Sequence, residues 1–249
     1  MECDIIVQAR MSSTRMPGKI LKPFFKTESI LEVQIGNIQC LVGSVIIATS
    51  NNSADDVLEN FANGKGAKVF RGDEQDVMSR FIEGSSADFI IRICSDNPFL
   101  DLLYLQKLID NVEEGIDYVS YKDYEGTPAI RTHWGLFAEL VKRSALEKAY
   151  MLTENDENKS FYREHVTNYI YENPQLFKVK LLDAPAEVFH RKDLRFTIDT
   201  PEDFENMQNL YEKMITSEDP FNLSLLVKYA DEDLMIKEIM QQGINKFSK

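Results

Sequence analysis

Residues 4–19 read DIIVQARMSSTRMPGK, a mostly apolar run followed by a loop of cations and small polar residues. The run at 4–9 predicts a short buried β-strand. The loop at 8–19 contains Arg10, Arg15 and Lys19, with hydroxyl and glycine residues between them. Backbone amides that are exposed after a strand can hold phosphate oxygens. The stretch therefore predicts an α/β protein with a triphosphate-binding loop.

The charge of this segment is the opposite of that of the whole chain. Residues 5–27 contain five basic and no acidic residues, whereas the formal net charge of the chain is -13. The alternative is a solvated basic turn, because Arg and Lys usually lie on surfaces. A positive segment in an acidic protein favours an anion site, in which Arg donates in bidentate form and Lys acts as a point charge. The loop residues that we expect to bind a nucleotide include Ser12 and Ser13.

Composition restricts the class of protein. A chain of 249 residues can bury a sizeable core, and the absence of any linker-like or repeated segment favours a single domain over residues 1–249. An isoelectric point near 4.8 argues against a nucleic-acid partner. No secretory signal or membrane-length apolar run is visible, which predicts a cytoplasmic protein without a membrane partner. Cys3, Cys40 and Cys94 are widely spaced and are interpreted as small buried residues.

Short Val- and Ile-rich runs alternate with helical patterns through the first half of the chain. The predicted strands are 4–9, 44–49, 67–70, 88–94 and 117–120, and the predicted helices are 29–41, 55–63, 74–82 and 102–113. This alternation is typical of βαβ units, so the fold class is α/β with a mostly parallel central sheet flanked by helices. Ser53 and Asp56 resemble a capping box, and Gly64 and Gly115 occupy positions typical of C-terminal caps.

The second half is less regular. We predict an inserted arm at about 122–142, helices at 144–150 and 161–171, strands at 177–182 and 194–199, and a helical tail from about 200 to 249.

Two aspartates follow predicted strands of the sheet. Asp96 ends the run IIRICSD, and Asp199 follows LRFTI. Open α/β sheets place their ligands at the carboxyl ends of strands. Each aspartate has an alternative role as a helix N-cap. Two carboxylates beside a triphosphate supply the oxygen ligands that Mg²⁺ prefers, so the pair predicts a magnesium site.

Other candidates give weaker signals. Arg71 is predicted to contact a sugar or phosphate, and Asp73 to hold a hydroxyl group, although Asp73 is equally explained as a helix cap. Thr49 closes the second predicted strand and is a candidate for the nucleotide pocket, although such residues are also common in turns. Arg92 interrupts an apolar run and is a candidate for substrate binding.

Several motifs resemble, in the same order, those of the cytidylyltransferases that make activated sugars, in particular the SpsF-like branch, which is related to the sialic acid and Kdo cytidylyltransferases. The matching segments are QARMSSTRMPGK at 8–19, IIATSNNSADD at 46–56, VFRGDEQDVMSRF at 69–81, IIRICSDNPFLD at 90–101, REHVTNYIYENP at 163–174 and LRFTIDTPEDF at 194–204. The resemblance implies the nucleotide-diphospho-sugar transferase fold, a homodimer and the use of CTP. It also implies base recognition by the main chain near Ala9 and Arg10, and metal binding by Asp96 and Asp199.

One segment departs from the family pattern. The family typically reads GLDVEVF in the arm, whereas this chain reads GLFAELV at 135–141. Glu139 is retained and is expected to contact the substrate, but Phe137 stands where an aspartate is usual. The identity of the acceptor is therefore open.

These observations predict a Mg²⁺-dependent nucleotidyltransferase that joins a cytidylyl group from CTP to a sugar acid or sugar-phosphate. Arg15, Lys19, Asp96 and Asp199 are the expected catalytic residues. Two alternatives remain open at this stage. A nucleotide-sugar-dependent glycosyltransferase would share the fold and a metal carboxylate, but it does not need so dense a cationic loop. A non-catalytic relative is the other alternative, because of Phe137.

Overall fold

The computed structural model describes residues 2–39, 41, 43–220 and 222–247 and is built around one seven-stranded sheet. The strands are β1 (Cys3–Gln8), β2 (Pro23–Phe25), β3 (Glu28–Ser29), β4 (Val45–Ser50), β5 (Lys68–Gly72), β6 (Phe89–Cys94), β7 (Tyr118–Lys122), β8 (Glu139–Lys142) and β9 (Val179–Asp183). The helices are α1 (Ile30–Ile38), α2 (Asp56–Lys65), α3 (Val77–Gly84), α4 (Leu102–Asp110), α5 (Arg143–Leu152), α6 (Lys159–Glu164), α7 (Asn168–Glu172), α8 (Ala186–Phe189), α9 (Pro201–Ile215), α10 (Leu223–Glu232) and α11 (Leu234–Lys246).

The strand order of the main sheet is β5-β4-β1-β6-β8-β7-β9. All neighbouring pairs are parallel except those made by β8, which runs antiparallel to β6 and β7. β2 and β3 form a separate antiparallel pair. The predicted mostly parallel sheet flanked by helices is confirmed. β1 is central, so the loop that follows it lies at the middle of one sheet edge.

Alternate residues of the central strands pack on opposite faces of the sheet. Ile5 and Val7 belong to one buried cluster, with residues of α1, α4 and α9, whereas Ile6 belongs to a second cluster with residues of α3 and α5. Because both faces are covered by helices, β1 is apolar on both sides, which is typical of parallel sheets. The site therefore lies at the edge of the sheet and not on a face.

Side-chain caps fix the ends of two helices that border the site. Ser29 and Glu32 form a capping box at α1, and Thr200 and Asp203 form another at α9, where Pro201 occupies the first turn. Because Thr200 is the N-cap of α9, the side chain of Asp199 is not used as a cap.

The predicted strand at 194–199 is wrong. This segment joins no ladder of the described sheet, and two of its backbone amides donate to loop carbonyls, Phe196 N to His133 O at 3.2 Å and Ile198 N to Asp96 O at 3.3 Å. Its partners are loop residues, so the apolar pattern reflects burial under helices and not strand pairing. The segment nevertheless brings residue 199 next to residue 96.

The predicted helix at 161–171 is interrupted. It consists of α6 and α7, separated by Val166 with a φ of 30°, a value that a β-branched residue rarely adopts. The predicted caps also differ from the structure. Asn52, not Ser53, caps the turn before α2, and Gly66, not Gly64, ends α2 in the left-handed conformation.

Two further interpretations can be compared with the structure. Gly115 has a φ of +76° in the turn before β7, but Asn111 is the residue that caps α4. Cys3 is buried as expected and Cys94 is half-buried, while Cys40 lies outside the described residues. Within the described chain, no helix combines the length and apolar composition needed to cross a bilayer. A cytoplasmic location and a single domain remain predictions.

The segment at 122–142, predicted as an inserted arm, ends in the main sheet. Its last residues form β8, which pairs with β6 at four positions and with β7 at two. The part before β8 contains a single helical turn, Ala129–Arg131, and a loop that passes beside residues 96 and 97. That the segment forms a subunit interface remains a prediction.

Candidate active site

The loops that follow β1 and β6 enclose a cavity of about 460 Å³. Several residues predicted from the sequence line its wall. They are Ala9, Arg10, Ser13, Arg15, Lys19, Asp96 and Asp199. The carboxyl ends of neighbouring parallel strands meet at one sheet edge, which is why segments far apart in the sequence converge here. The predicted triphosphate loop and the two predicted carboxylates therefore lie on one wall.

Each carboxylate faces a cation of the loop. Lys19 Nζ lies 3.2 Å from Asp96 Oδ2, and Lys19 also donates to the carbonyl of Ile198. Arg15 Nη1 lies 3.1 Å from Asp199 Oδ1. Lys19 is nearly buried, with 10% of its side chain exposed, whereas half of the Arg15 side chain is exposed. The wall thus contains two ion pairs, Lys19 with Asp96 and Arg15 with Asp199.

Asp199 is held in place from two directions. Its backbone amide donates to Asp203 Oδ2 at 2.9 Å, and Arg195 Nη2 donates to its Oδ2 at 2.7 Å. Arg195 is buried and also pairs with Asp203. Thr200, not Asp199, caps α9, and Asp101, not Asp96, caps α4. The N-cap alternative is therefore excluded for both aspartates.

The cationic loop is anchored at its start and at its end. Asp55 is fully buried and accepts a bond from the amide of Met11 at 2.7 Å, while its other oxygen accepts from Ser50. Burial opposes ionisation of Asp55, but the hydrogen bonds from Ser50 and Met11 lower its pKa. Gly18, in the left-handed conformation with a φ of 72°, donates to Met11 O and opens the turn that carries Lys19.

A second, smaller cavity of about 160 Å³ adjoins the first and shares Cys94, Asp96 and Asp199 with it. Its wall is otherwise apolar or uncharged and consists of Asn97, Ala129, Ile130, Thr132, Gly135, Leu136, Phe137 and Thr197. Asn97 Oδ1 and Thr197 Oγ1 are buried and have no hydrogen-bond partner among the described residues. These atoms are suited to hydroxyl groups of a bound molecule.

The donor set at the shared wall fits a divalent cation of the magnesium type. Asp96 and Asp199 keep 31% and 25% of their side chains exposed, so their oxygens are accessible from the cavities. No group of three His, Cys, Asp or Glu side chains suited to a metal occurs among the described residues. Magnesium typically takes one or two protein carboxylates and completes its octahedron with phosphate oxygens and water. Two carboxylates beside a phosphate loop meet that requirement.

Several predicted residues do not reach this wall. Thr49 is buried, and Ser12 donates to Glu74 Oε1 at 3.0 Å. Arg71 pairs with Asp56 at 2.7 Å and donates to two backbone carbonyls of the turn after β4. These bonds fix the arrangement of β4, β5 and α2, so the structure gives Arg71 a supporting position.

The side chain of Asp73 is also hydrogen-bonded to the backbone. It accepts from the amides of Asp76 and Gln75 at 2.8 and 2.7 Å, and these bonds lower its pKa. The helix cap of α3 is Asp76, so Asp73 stabilises the preceding turn.

Arg92 and Glu139 form a buried ion pair below the cavity. The distance from Arg92 Nη1 to Glu139 Oε2 is 2.7 Å, and their side chains are 6% and 2% exposed. Tyr118 and Thr167 donate to the same carboxylate. Arg92 reaches the cavity only through Gln8, to which it donates at 3.3 Å. The structure therefore does not bring either residue to the wall as a direct substrate contact.

The wall also contains residues that the sequence reasoning did not select. They are Gln8, Thr14, Ile20, Val77, Arg80, Cys94, Ser95 and Glu164. All of them except Ile20 lie in segments that were quoted for the family resemblance. Membership of such a segment does not distinguish a wall residue from a packed one without the tertiary structure.

The chain is similar in sequence and in fold to known proteins. The sequence model of the family described as cytidylyltransferase matches residues 5–225. The chain is 35% identical over 218 residues to the spore coat polysaccharide biosynthesis protein SpsF of Bacillus subtilis, covering 84% of this chain and 85% of that protein.

Solved structures show the same similarity. A cytidylyltransferase from Leptospira borgpetersenii superposes with a TM-score of 0.77 at 27% identity, covering 95% of this chain and 96% of that one. A CMP:2-keto-3-deoxy-manno-octonic acid synthetase complexed with CTP superposes with a TM-score of 0.61 at 15% identity, covering 86% and 99%, which is a likeness of fold.

Proposed function

Since the chain belongs to the cytidylyltransferase family, whose members are nucleotidyltransferases, we propose that it transfers a cytidylyl group from CTP to a sugar acid or sugar-phosphate and releases pyrophosphate. The observation that supports this proposal is the wall shared by two cavities. On it, Lys19 and Arg15 pair with Asp96 and Asp199. The cationic cavity is suited to the nucleotide, and the smaller cavity to part of the acceptor.

The loop cations have the charge and the reach to bind the triphosphate. Ala9 and Arg10 follow β1 directly, so their main chain can approach the nucleotide, while Ser13, Arg15 and Lys19 surround the remaining space. When phosphate oxygens enter, Lys19 and Arg15 can exchange their carboxylate partners for phosphate partners. Their charge then neutralises the negative charge that grows on the departing pyrophosphate.

That exchange frees Asp96 and Asp199 as the protein ligands of a divalent cation, which we propose to be Mg²⁺. Bound there, the ion would supply electrophilic stabilisation of the α-phosphate. Arg195 and the backbone bond to Asp203 hold the Asp199 carboxylate toward the shared wall. No protein nucleophile is required, because the acceptor oxygen attacks the α-phosphorus in line and the bond to the β-phosphate breaks. When that oxygen belongs to a hydroxyl group, a nearby carboxylate takes its proton.

The acceptor is positioned by the same wall. Its reacting oxygen must lie beside Asp96 and Asp199, near the nucleotide cavity and its cations. An acidic group of the acceptor is best placed on that side. The smaller cavity then receives an uncharged part of the molecule, with Thr197 as a hydroxyl partner and Phe137 as an apolar contact. Phe137 thus changes acceptor choice without affecting the nucleotide side.

The proposal is tested by measuring pyrophosphate release from each of the four nucleoside triphosphates, with Mg²⁺, against a panel of sugar acids and sugar-phosphates. We expect release with CTP and at least one acceptor, and a mass increase of that acceptor by one cytidylyl group. Release of free nucleoside diphosphate from a nucleotide sugar would instead indicate a glycosyltransferase. No CTP binding by calorimetry would reject the proposal and leave a non-catalytic relative.

Three related proposals accompany this function. The product would serve surface polysaccharide or glycan precursor synthesis, which is consistent with the name of the Bacillus relative. The enzyme would act in the cytoplasm as a homodimer, with the 122–142 segment at the subunit interface. Light scattering of the purified protein tests the dimer.

A further inference from the structure

Arg80 is a buried cation that has no ion-pair partner among the described residues. It lies on α3 with 1% of its surface exposed. Its Nη1 and Nη2 make long hydrogen bonds to the carbonyls of Ala48 and Glu74, at 3.4 and 3.5 Å, and its Nε has no partner among the described residues. A guanidinium has five donors in a fixed arrangement, so most of its hydrogen-bonding capacity is unused.

The other buried arginines of the described chain differ from Arg80. Arg92 pairs with Glu139, Arg163 pairs with Glu154 at 2.9 Å, and Arg195 pairs with Asp203. Burial of a charge is unfavourable unless the charge is paired. Three of the four buried arginines follow that rule, and Arg80 does not. The guanidinium of Arg80 is therefore expected to pair with a bound ligand and not with a side chain of the protein.

The carboxylates nearest to Arg80 are committed to other groups. Asp55 accepts from Met11 and Ser50, and Asp73 accepts from the amides of its own turn. Glu74 accepts from Ser12. Burial, and after it the charge of Arg10, lower the pKa of Arg80, while these carboxylates oppose that shift. These three carboxylates therefore act on Arg80 without forming an ion pair with it among the described residues.

The backbone around Arg80 leaves room for this side chain. A Cβ atom added to Gly72, at the end of β5, would lie 2.7 Å from Cγ of Arg80. Glycine at this position allows the Arg80 stem to lie against the strand. The arginine then reaches the same cavity wall as Arg10 and Lys19. The packing keeps a cation at the wall although no described carboxylate forms an ion pair with it there.

We propose that Arg80 is a nucleotide-binding residue whose guanidinium donates to oxygen atoms of the bound nucleotide. This inference rests on the proposed function and adds a residue to it. The oxygens belong either to the phosphates or to the cytosine carbonyl, since both accept charge-assisted hydrogen bonds. The bound nucleotide then supplies the partner that the protein lacks, which makes Arg80 unfavourable for the free protein and favourable for the complex.

The test compares Arg80→Met with Arg163→Met, because both remove a buried guanidinium and only the second breaks an ion pair. For Arg80→Met we expect the melting temperature of the free protein to rise by roughly 2–4 °C, and the CTP affinity to fall about 10- to 100-fold. For Arg163→Met we expect a lower melting temperature and unchanged CTP affinity. Arg80→Lys, which keeps the charge but not the planar arrangement, should bind CTP with intermediate affinity.

Calorimetry with CTP, with inorganic tripolyphosphate and with cytidine identifies the oxygen atoms. If Arg80→Met weakens both CTP and tripolyphosphate, Arg80 binds the phosphates. If it weakens CTP and cytidine but leaves tripolyphosphate unchanged, Arg80 binds the base. CTP affinity equal to that of the wild-type protein would overturn the inference while leaving the proposed function intact. Failure of the wild-type protein to bind CTP would reject both.

Discussion

The two cavities beside Asp96 and Asp199 share a wall and differ in charge. The larger one is lined by Arg10, Arg15, Lys19 and Arg80, whereas no Lys or Arg lines the smaller one among the described residues. A chain with a net charge of -13 has thus gathered cations on one side of two carboxylates and excluded them from the other. Under the proposed function, the cationic cavity suits the triphosphate and the smaller cavity suits an uncharged part of the acceptor.

Aromatic side chains pack against Phe137 in the wall of the smaller cavity. Phe137 contacts Tyr121 and Trp134 with ring centroids 4.8 and 5.9 Å apart, and it contacts Tyr104 at 5.6 Å. Aromatic contacts of this kind stabilise a fixed wall. The larger cavity is bordered by the cationic loop, whose side chains are partly exposed. Mutations on the two sides should therefore affect different kinetic constants.

The largest effect should come from the shared wall. Asp96→Asn and Asp199→Asn should each abolish most activity, because Asn keeps the shape but not the charge that a divalent cation needs. The double variant should be little worse than either single one, since residues that act as a unit are non-additive. Pyrophosphate release and Mg²⁺ titration measure these effects.

Thermal unfolding of the same variants is the control for folding. Both single variants should remain folded, because Thr200 and Asp101 provide the nearby caps. Substantial activity in either variant would remove that carboxylate from the proposed metal site.

The next effect belongs to the cationic side alone. Lys19→Ala should reduce CTP affinity or turnover by about one to two orders of magnitude, because a charge-assisted hydrogen bond contributes about 1.5–3 kcal/mol. The acceptor KM should change little. Lys22→Ala is the matched control, because Lys22 is exposed, belongs to the same basic segment and does not line the cavity. Equal losses in the two variants would indicate a general charge effect.

A smaller effect is expected on the uncharged side. Thr197→Val replaces a buried hydroxyl, which has no hydrogen-bond partner among the described residues, by a methyl group of similar size. The acceptor KM should rise roughly 2- to 10-fold, since a neutral hydrogen bond contributes about 0.5–1.5 kcal/mol. CTP affinity, measured by calorimetry, should stay the same. A change in CTP affinity without a change in acceptor KM would reverse the assignment of the two cavities.

The smallest effect on chemistry should come from the loop anchor, where the main change is in stability. Asp55→Asn leaves one amide hydrogen-bond donor facing Met11 or Ser50, which should lower the free energy of unfolding by about 1–3 kcal/mol. The folded-state pKa of Asp55 is lowered, so its stabilisation is present above its unfolded pKa of about 3.9 and is lost as pH falls through the folded value.

Melting temperatures at neutral pH and at about pH 3 test this prediction. The difference between wild type and Asp55→Asn should shrink on acidification. A difference that grows toward low pH would show that Asp55 is not held as a carboxylate.

Much of the fold was predictable because the apolar runs in the sequence coincide with strands of the sheet. Apolar runs at β1, β4 and β6 are short, rich in Ile and Val and separated by capped helices, so their parallel pairing follows from the pattern. The extended run at 194–199 has the same composition but pairs with loops. The apolar composition of a segment indicates that it is buried. It does not indicate whether the backbone of the segment pairs with another strand.

The sequence by itself determined the α/β class, the cationic loop and the two carboxylates, because each of these depends on residues that are close together in the chain. Only the tertiary structure decided which polar residues face a cavity. Arg71, Arg92 and Glu139 have the chemistry of site residues but are satisfied by Asp56 or by one another. Arg80 has the same chemistry but forms no ion pair with a carboxylate in the part of the chain that the structure describes. The distinction depends on partners far away in the sequence, and it arises from the high free energy of a buried charge that no neighbouring group neutralises.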